Sequence, residues 1–306
     1  MSGPVADAVV DASRKALGPV GVCLPVSFTD PLSIERQRAA VGSLERAGYR
    51  AVWTNEVIGK DALVQLAMLA SATERMVFGT CIANVWARSP QTMHAAAAQL
   101  AQAFPGRFVL GLGIGYPEQA ASVGREFGRP LATMRDYLDG MDAPTWPPAP
   151  DAAYVRIVAA NGPKMMALAG QRADGAVPAL FPAEFTAHAR RVLGPDKLLV
   201  VGVSVVGGGS GDPKAAAREL LSARLSMPSY AARLSELGYS AGDIDGVTGR
   251  LVDAIVAYGD PPAVAAKVRE HLDAGADHVT LLPEIGGDFA TAVTQLESLA
   301  PALATL

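Results

Sequence analysis

The sequence predicts an α/β protein built as a single (β/α)8 TIM barrel with a helical insertion, and three observations carry that expectation. Short apolar runs alternate with longer stretches of helical period from residue 20 to the end, the pattern of parallel strands joined by crossover helices. About eight such units can be read, which favours a closed barrel over an open sheet. Most of the runs are continuously apolar, as expected when helices cover one face and a filled barrel interior the other. With 306 residues, half of them hydrophobic, the chain can bury one large core or at most two modest ones.

Residues 1–18 read as a lead-in, either a short helix or a disordered segment, and residues 19–306 as one barrel domain. The predicted strands are Val20 to Pro25, Ala51 to Thr54, Met76 to Ala83, Phe108 to Leu112, Val155 to Ala160, Gly175 to Val177, Leu198 to Val206 and His278 to Leu282. Gly48 and Gly275 are placed to take the left-handed position that ends a helix before the next strand. Ser89 and Pro90 read as the N-cap and first residue of a helix. The proline-rich Asp142 to Asp151 forbids helix interior and central strand, so a loop is expected there. The GGGSGDP run at 207–213 superficially resembles a phosphate loop, but Lys214 follows Asp212 and Pro213 rather than a glycine, which favours a plain turn. Residues 214–258 read as helical, more than one barrel unit needs, so an insertion is expected there.

Composition excludes several functions. There are 26 basic and 30 acidic residues with no Lys/Arg run to release counterions, so nucleic acid is not an expected partner. No window approaches 18 uninterrupted apolar residues, and the N-terminus lacks a basic start followed by an apolar segment, so neither a membrane span nor a secretory signal is expected. Cys23 and Cys81 read as buried free thiols of a cytoplasmic protein, and the four histidines show no metal-ligand spacing.

In such a barrel the chemistry sits just after the strands. Trp53, Thr54, Asn55 and Glu56 follow the second one; Glu56 reads either as a general acid or base or as an exposed charge beside a helix cap. After the third strand, Arg88 reads either as an anion holder or as a tie to a nearby carboxylate, and His94 as a surface or packing residue. Gly111, Gly113 and Gly115 would let the backbone approach a flat ligand closely, although Tyr116 and Pro117 break a dinucleotide fingerprint. Asn161, Gly162, Pro163 and Lys164 read as a phosphate site at a helix N-terminus or as a plain helix start.

Five segments in order, LERAGYRAVWTNE, FGTCIANVWARSPQTM, FPGRFVLGLGIG, AANGPKMMALAGQRADGAV and YGDPPAVAAKVREHLDAGADHVTLLP, resemble the luciferase-like monooxygenase superfamily from about Pro19 to Pro283. The wording is most similar to its actinobacterial F420-dependent oxidoreductases. The resemblance implies an oxidoreductase transferring hydride between the deazaflavin F420 and a small molecule, with FMN-dependent oxygenation or a non-catalytic flavin-binding barrel as alternatives, and a homodimer. It further implies a cis peptide at Cys81-Ile82 in a strand bulge behind the ring, with Asn161 and Gly162 at the cofactor phosphate. Where relatives often carry Asp and His this chain has Asn55 and Glu56, and Tyr116 stands where some carry Glu. Pro178, Ala179 and Leu180 replace the Ser or Thr that relatives offer to the phosphate. The proton-transfer role of relatives is therefore not carried over, and the candidates expected for it here are Glu56 first and Tyr116 second. Together with the residue readings above, the residues expected at the cofactor are Trp53, Asn55, Cys81, Ile82, Arg88, Gly113, Asn161, Gly162 and Lys164, and no metal is expected.

Overall fold

The computed structural model describes residues 5–26, 31–207, 211–225, 228–284 and 286–306. Its strands are β1 (Val20–Cys23), β2 (Ala51–Thr54), β3 (Val77–Thr80), β4 (Ala83–Asn84), β5 (Phe108–Gly113), β6 (Val155–Val158), β7 (Gly175–Ala176), β8 (Leu198–Val206), β9 (Ala257–Tyr258) and β10 (His278–Leu282). Parallel pairing runs β10-β1-β2-β3-β5-β6-β7-β8, and β8 pairs back to β10, so eight strands close a TIM barrel. The two remaining strands differ from the expectation. β4 resumes the third barrel strand after an interruption, and β9, inside the stretch read as helical, extends the end of β8 outside the barrel.

The helices are α1 (Asp7–Leu17), α2 (Ile34–Ala47), α3 (Ala62–Ala70), α4 (Pro90–Ala103), α5 (Pro117–Ala121), α6 (Pro130–Asp142), α7 (Pro163–Arg172), α8 (Ala183–Leu193), α9 (Pro213–Leu225), α10 (Pro228–Glu236), α11 (Ala241–Asp245), α12 (Gly249–Ile255), α13 (Pro261–Asp273) and α14 (Phe289–Leu303). Their ends follow local chemistry. Ser89 Oγ accepts from Thr92 N with Pro90 in the first turn, and Gly48 ends α2 at φ 109°. The insertion is α9 to α12. Asp142 still belongs to α6, and the expected proline-rich loop runs from Ala143 to Asp151, with Trp146 95% exposed. Residues 208–210 of the GGGSGDP run lie outside the described residues.

Two apolar layers result. One lies between the sheet and its helices; the other fills the barrel with Cys23, Ala51, Trp53, Val77, Val109, Ile157, Val177 and Val200. Val10 and Leu17 of α1 join the second layer, so the lead-in is a plug across the lower, N-terminal end of the strands. Arg14 fastens it there by pairing with Asp277 (2.9 Å). Among the described residues no helix is long and apolar enough to cross a membrane.

Candidate active site

Side chains alternate along a strand, so β2 and the residues after it send Ala51, Trp53 and Asn55 inward and Thr54 and Glu56 outward. Trp53, expected at the cofactor, lies at the barrel floor instead. It is fully buried, its Nε1 donates to His278 Nε2 (3.0 Å), and His278 Nδ1 in turn donates to Gly18 O (2.7 Å). Because indole nitrogen only donates, His278 is neutral with its proton on Nδ1. Burial lowers its pKa to about 4, against the raising effect of the Gly18 bond. A Cβ on Gly79 would stand 2.3 Å from the Trp53 ring, so this floor requires glycine at 79.

Glu56 points the other way, into the wall between the barrel and its helices. Its carboxylate accepts from Arg88 (2.5 and 3.1 Å), from Asn84 N (2.7 Å) and from Ala62 N (3.2 Å), and Arg88 also pairs with Asp61 (2.7 Å). Both side chains are nearly sealed, at 4% exposure for Glu56 and 10% for Arg88. Arg88 is thus a tie to carboxylates, and Glu56 has its lone pairs committed to structure. The reason is parity: one residue further along, the chain would have aimed this carboxylate into the mouth.

What Glu56 holds is a bulge in the third barrel strand. Gly79 pairs with Val109 and Ala83 with Leu112, so four steps on one strand (83 − 79) match three on the other (112 − 109). The Cys81-Ile82 peptide within it is cis, as the resemblance implied. Cys81 N donates to Thr54 O (2.7 Å) and Glu56 N to Ile82 O (3.0 Å). Thr80 Oγ1 bridges Gly111 O (2.7 Å) and Gly111 N (2.9 Å), replacing the ladder bonds that the bulge removes. Gly111 and Gly113 are small for a different reason than ligand approach. A Cβ at Gly111 would meet Thr80 O at 2.0 Å and one at Gly113 would meet Ile82 at 2.5 Å, so both glycines accommodate the bulge.

Cys81 and Ile82 are only partly buried, at the upper rim of the barrel filling together with Ala159 and Leu282. Around them stand Asn55 after β2, Tyr116 after β5, and the loop from Asn161 to Lys164 after β6. Asn161 Oδ1 accepts from Ala179 N (3.2 Å), tying the loops after β6 and β7. Gly162 begins α7 without a side-chain cap, and Lys164 is exposed in its first turn. The insertion closes over the same end: Tyr230 of α10 donates its hydroxyl proton to the Ala179 and Leu180 carbonyls (2.5 and 2.9 Å) and stacks on Phe181. Arg224 of α9 reaches the half-exposed Tyr116 hydroxyl (3.3 Å). His94 sits elsewhere, against Tyr154 on the outer side of the barrel, as a packing residue.

One group at this end was not singled out in the sequence. Lys60, in the short turn before α3, donates from Nζ to Asn55 Oδ1 and Thr54 Oγ1, both at 3.0 Å. Burial pushes its ammonium below the ordinary lysine value, against the raising influence of Cys23 and Glu56. Burial also raises the Cys23 thiol to about 11, so Lys60 has a neutral thiol beside it at neutral pH. The sequence signal was a lysine in the short turn V-I-G-K-D, between apolar residues and the Asp61 cap of α3, and such lysines are usually solvent-facing.

The model of a family described as luciferase-like monooxygenase matches residues 19–194, more than half of the chain. The chain belongs to the luciferase-like monooxygenase family. Over 100 residues it is 38% identical to a Mycobacterium tuberculosis protein named "Putative coenzyme F420-dependent oxidoreductase Rv3520c", covering 32% of this chain and 29% of that protein. The match thus spans less than a third of that relative's length. Two solved structures share the fold: an F420-dependent secondary alcohol dehydrogenase in complex with an F420-acetone adduct (TM-score 0.72, 15% identity, 94% of this chain and 99% of that one) and the FMN-bound oxygenating constituent of 3,6-diketocamphane monooxygenase from Pseudomonas putida (0.68, 16%, 94% and 98%).

Proposed function

We propose that this luciferase-like protein transfers hydride between the deazaflavin F420 and a small organic substrate at the upper end of its barrel. The observation that carries the reading is the bulge at Cys81-Ile82, which presents backbone and an apolar side chain, rather than a polar group, to the mouth. A planar tricyclic ring needs such a flat backing. The donor set fits the rest of the cofactor: the first turn of α7 has no side-chain cap, so among the described residues its leading N–H groups and Lys164 are left to take a phosphate at the positive end of the helix. Bound there, F420 would supply the two-electron chemistry.

The chain's own residues then divide the work. Cys81 and Ile82 back the ring, Gly113 leaves room for Ile82, and Asn55 presents an amide beside it. Gly162 and Lys164 hold the phosphate, while Asn161 fixes the loop that carries them. Tyr116 borders the substrate side with Arg224. Glu56 and Arg88 act as positioning residues that hold the bulge, and Trp53 supports it from below. The reading includes a cytoplasmic homodimer, with Val64 and Met68 of α3 and the nearby Ile58 as the exposed apolar face for a second copy, and no nucleic-acid or membrane partner.

Titration with F420 and FMN side by side, followed by cofactor fluorescence, tests this. Binding of F420 in preference to FMN is the expected result; FMN preference would move the protein to the oxygenating branch, which the FMN-bound structural neighbour keeps in view. Binding of neither would overturn the proposal.

A further inference from the structure

We infer that Lys60 is the proton-transfer group of this site, serving a substrate whose hydride-accepting carbon belongs to a carbonyl group. The inference rests on the hydride-transfer reading above and adds to it the residue and the substrate class.

Hydride delivered to a carbonyl carbon leaves an alkoxide, so an acid must stand at the mouth beside the ring. Of the ionisable groups the sequence suggested, Glu56 has four hydrogen bonds on its carboxylate and is sealed in the wall. Tyr116 is 47% exposed, and among the described residues its hydroxyl is met by Arg224 in an exposed bond of 3.3 Å. Lys60 meets the requirement better on three counts. Its ammonium is anchored on Asn55, the inward-facing residue after β2, and on Thr54, whose own hydroxyl donates to Gln65 (2.6 Å), so the head group is oriented by a hydrogen-bonded chain. Those two bonds use two of the three ammonium protons and leave the third to donate. Among the described residues neither direct partner is a carboxylate, so no ion pair among them locks the charge. The groups that face it are the Cys23 thiol on β1, with the Cys81 thiol beyond it, and the Glu56 carboxylate, which Arg88 already neutralises. Burial eases release of the proton, the condition under which lysine becomes an acid and base rather than a fixed charge.

The step balances simply. A hydride with its electron pair forms the new C–H bond, the carbonyl π pair moves to oxygen, and oxygen takes a proton from the Lys60 ammonium. The reductant is the reduced deazaflavin, and neutral Lys60 regains a proton from solvent. Reduction therefore needs the ammonium and slows as pH rises through the Lys60 pKa; oxidation of the alcohol needs the amine and has the opposite dependence.

The first test uses the wild-type chain without cofactor: acetic anhydride labelling across a pH series, read residue by residue by mass spectrometry. Lys60 should reach half-modification, corrected for exposure, at lower pH than the exposed Lys164; co-titration of the two overturns the inference. The second uses Lys60→Met and Lys60→Arg with reduced F420 and a panel of small aldehydes and ketones. Single-turnover reduction should fall by about 10²- to 10⁴-fold in Lys60→Met and lose its alkaline limb, while F420 affinity stays as in the wild type. Lys60→Arg, which donates hydrogen bonds but does not release a proton, should fail to rescue. Unchanged rate in Lys60→Met, or loss of F420 binding, overturns the proton role. If wild type binds F420 and reduces no carbonyl compound, the substrate class is wrong; if wild type does not bind F420, the hydride-transfer reading itself fails and takes this role with it.

Discussion

At the lower end of the barrel, Trp53 and His278 consume each other's polar atoms, α1 seals them in, and the histidine is held neutral. At the upper end, two residues further along the same strand, Asn55 and Lys60 form a polar pair with donor capacity left over, beside a bulge that interrupts the sheet. The strand is one continuous segment, and the two ends differ in what covers them. A plug of helix demands that every buried polar group be satisfied internally. A mouth left open to ligand permits half-satisfied groups. Stability is therefore expected to reside below and chemistry above, with Glu56 and Arg88 between the two.

The largest expected effect comes from breaking the floor. Trp53→Ala should cost about 3–5 kcal/mol, seen as a lower urea midpoint, because a fully buried ring is removed from a site where Gly79 offers no side chain to fill the gap. A variant as stable as the parent would show that α1 and the strands collapse into the space. Next in size is Glu56→Gln, expected to cost about 3 kcal/mol by leaving Arg88 with Asp61 alone in a nearly sealed position. If Glu56 is a positioning residue, Glu56→Gln with Arg88→Met should recover stability together with part of the activity; recovery of stability without any activity would return Glu56 to the chemistry.

Acid should act on the floor before the mouth. The His278 pKa of about 4 lies below the 6.5 of an unfolded histidine, so the unfolded chain binds the proton first. Its contribution, about 3 kcal/mol, is complete above pH 6.5 and is lost as pH falls toward 4. His271, lowered to about 4 by burial and secondarily by Lys267, adds a loss of the same sign. Proton NMR should show both rings neutral at pH 5.5, and a His278 resonance titrating at an ordinary value would contradict the closed floor. The smallest effect on folding is expected from Lys164→Glu: the melting temperature stays put, while F420 binding weakens and loses part of its salt dependence. Unchanged affinity at low salt would remove Lys164 from the phosphate site.

Several features of this division were legible in the residues. The alternating apolar runs, the caps at Ser89 and Gly48, and the proline-rich loop from Ala143 to Asp151 depend on neighbours within one turn, and they stand where local chemistry puts them. β9 was not legible, because two residues at the end of a helical stretch become a strand only through pairing with Val205 and Val206. Gly111 and Gly113 invited a ligand-contact reading, although their space is taken by Thr80 and Ile82 from another strand.

By itself, then, the sequence determined the barrel, its order of strands and helices, and the family whose motifs it carries, since hydrophobic period, turn residues and caps are local or repeat along the chain. Tertiary structure decided which polar residues remain free for chemistry. Glu56 and Lys60 lie four positions apart in one short loop. The fold buries the first against Arg88 and sets the second on Asn55 at the mouth. The physical reason is that the availability of a charge depends on its partner and its solvent: Arg88 and Asn84, from another part of the chain, engage Glu56, whereas Lys60 rests on its near neighbours Asn55 and Thr54 beside the Cys23 thiol of β1.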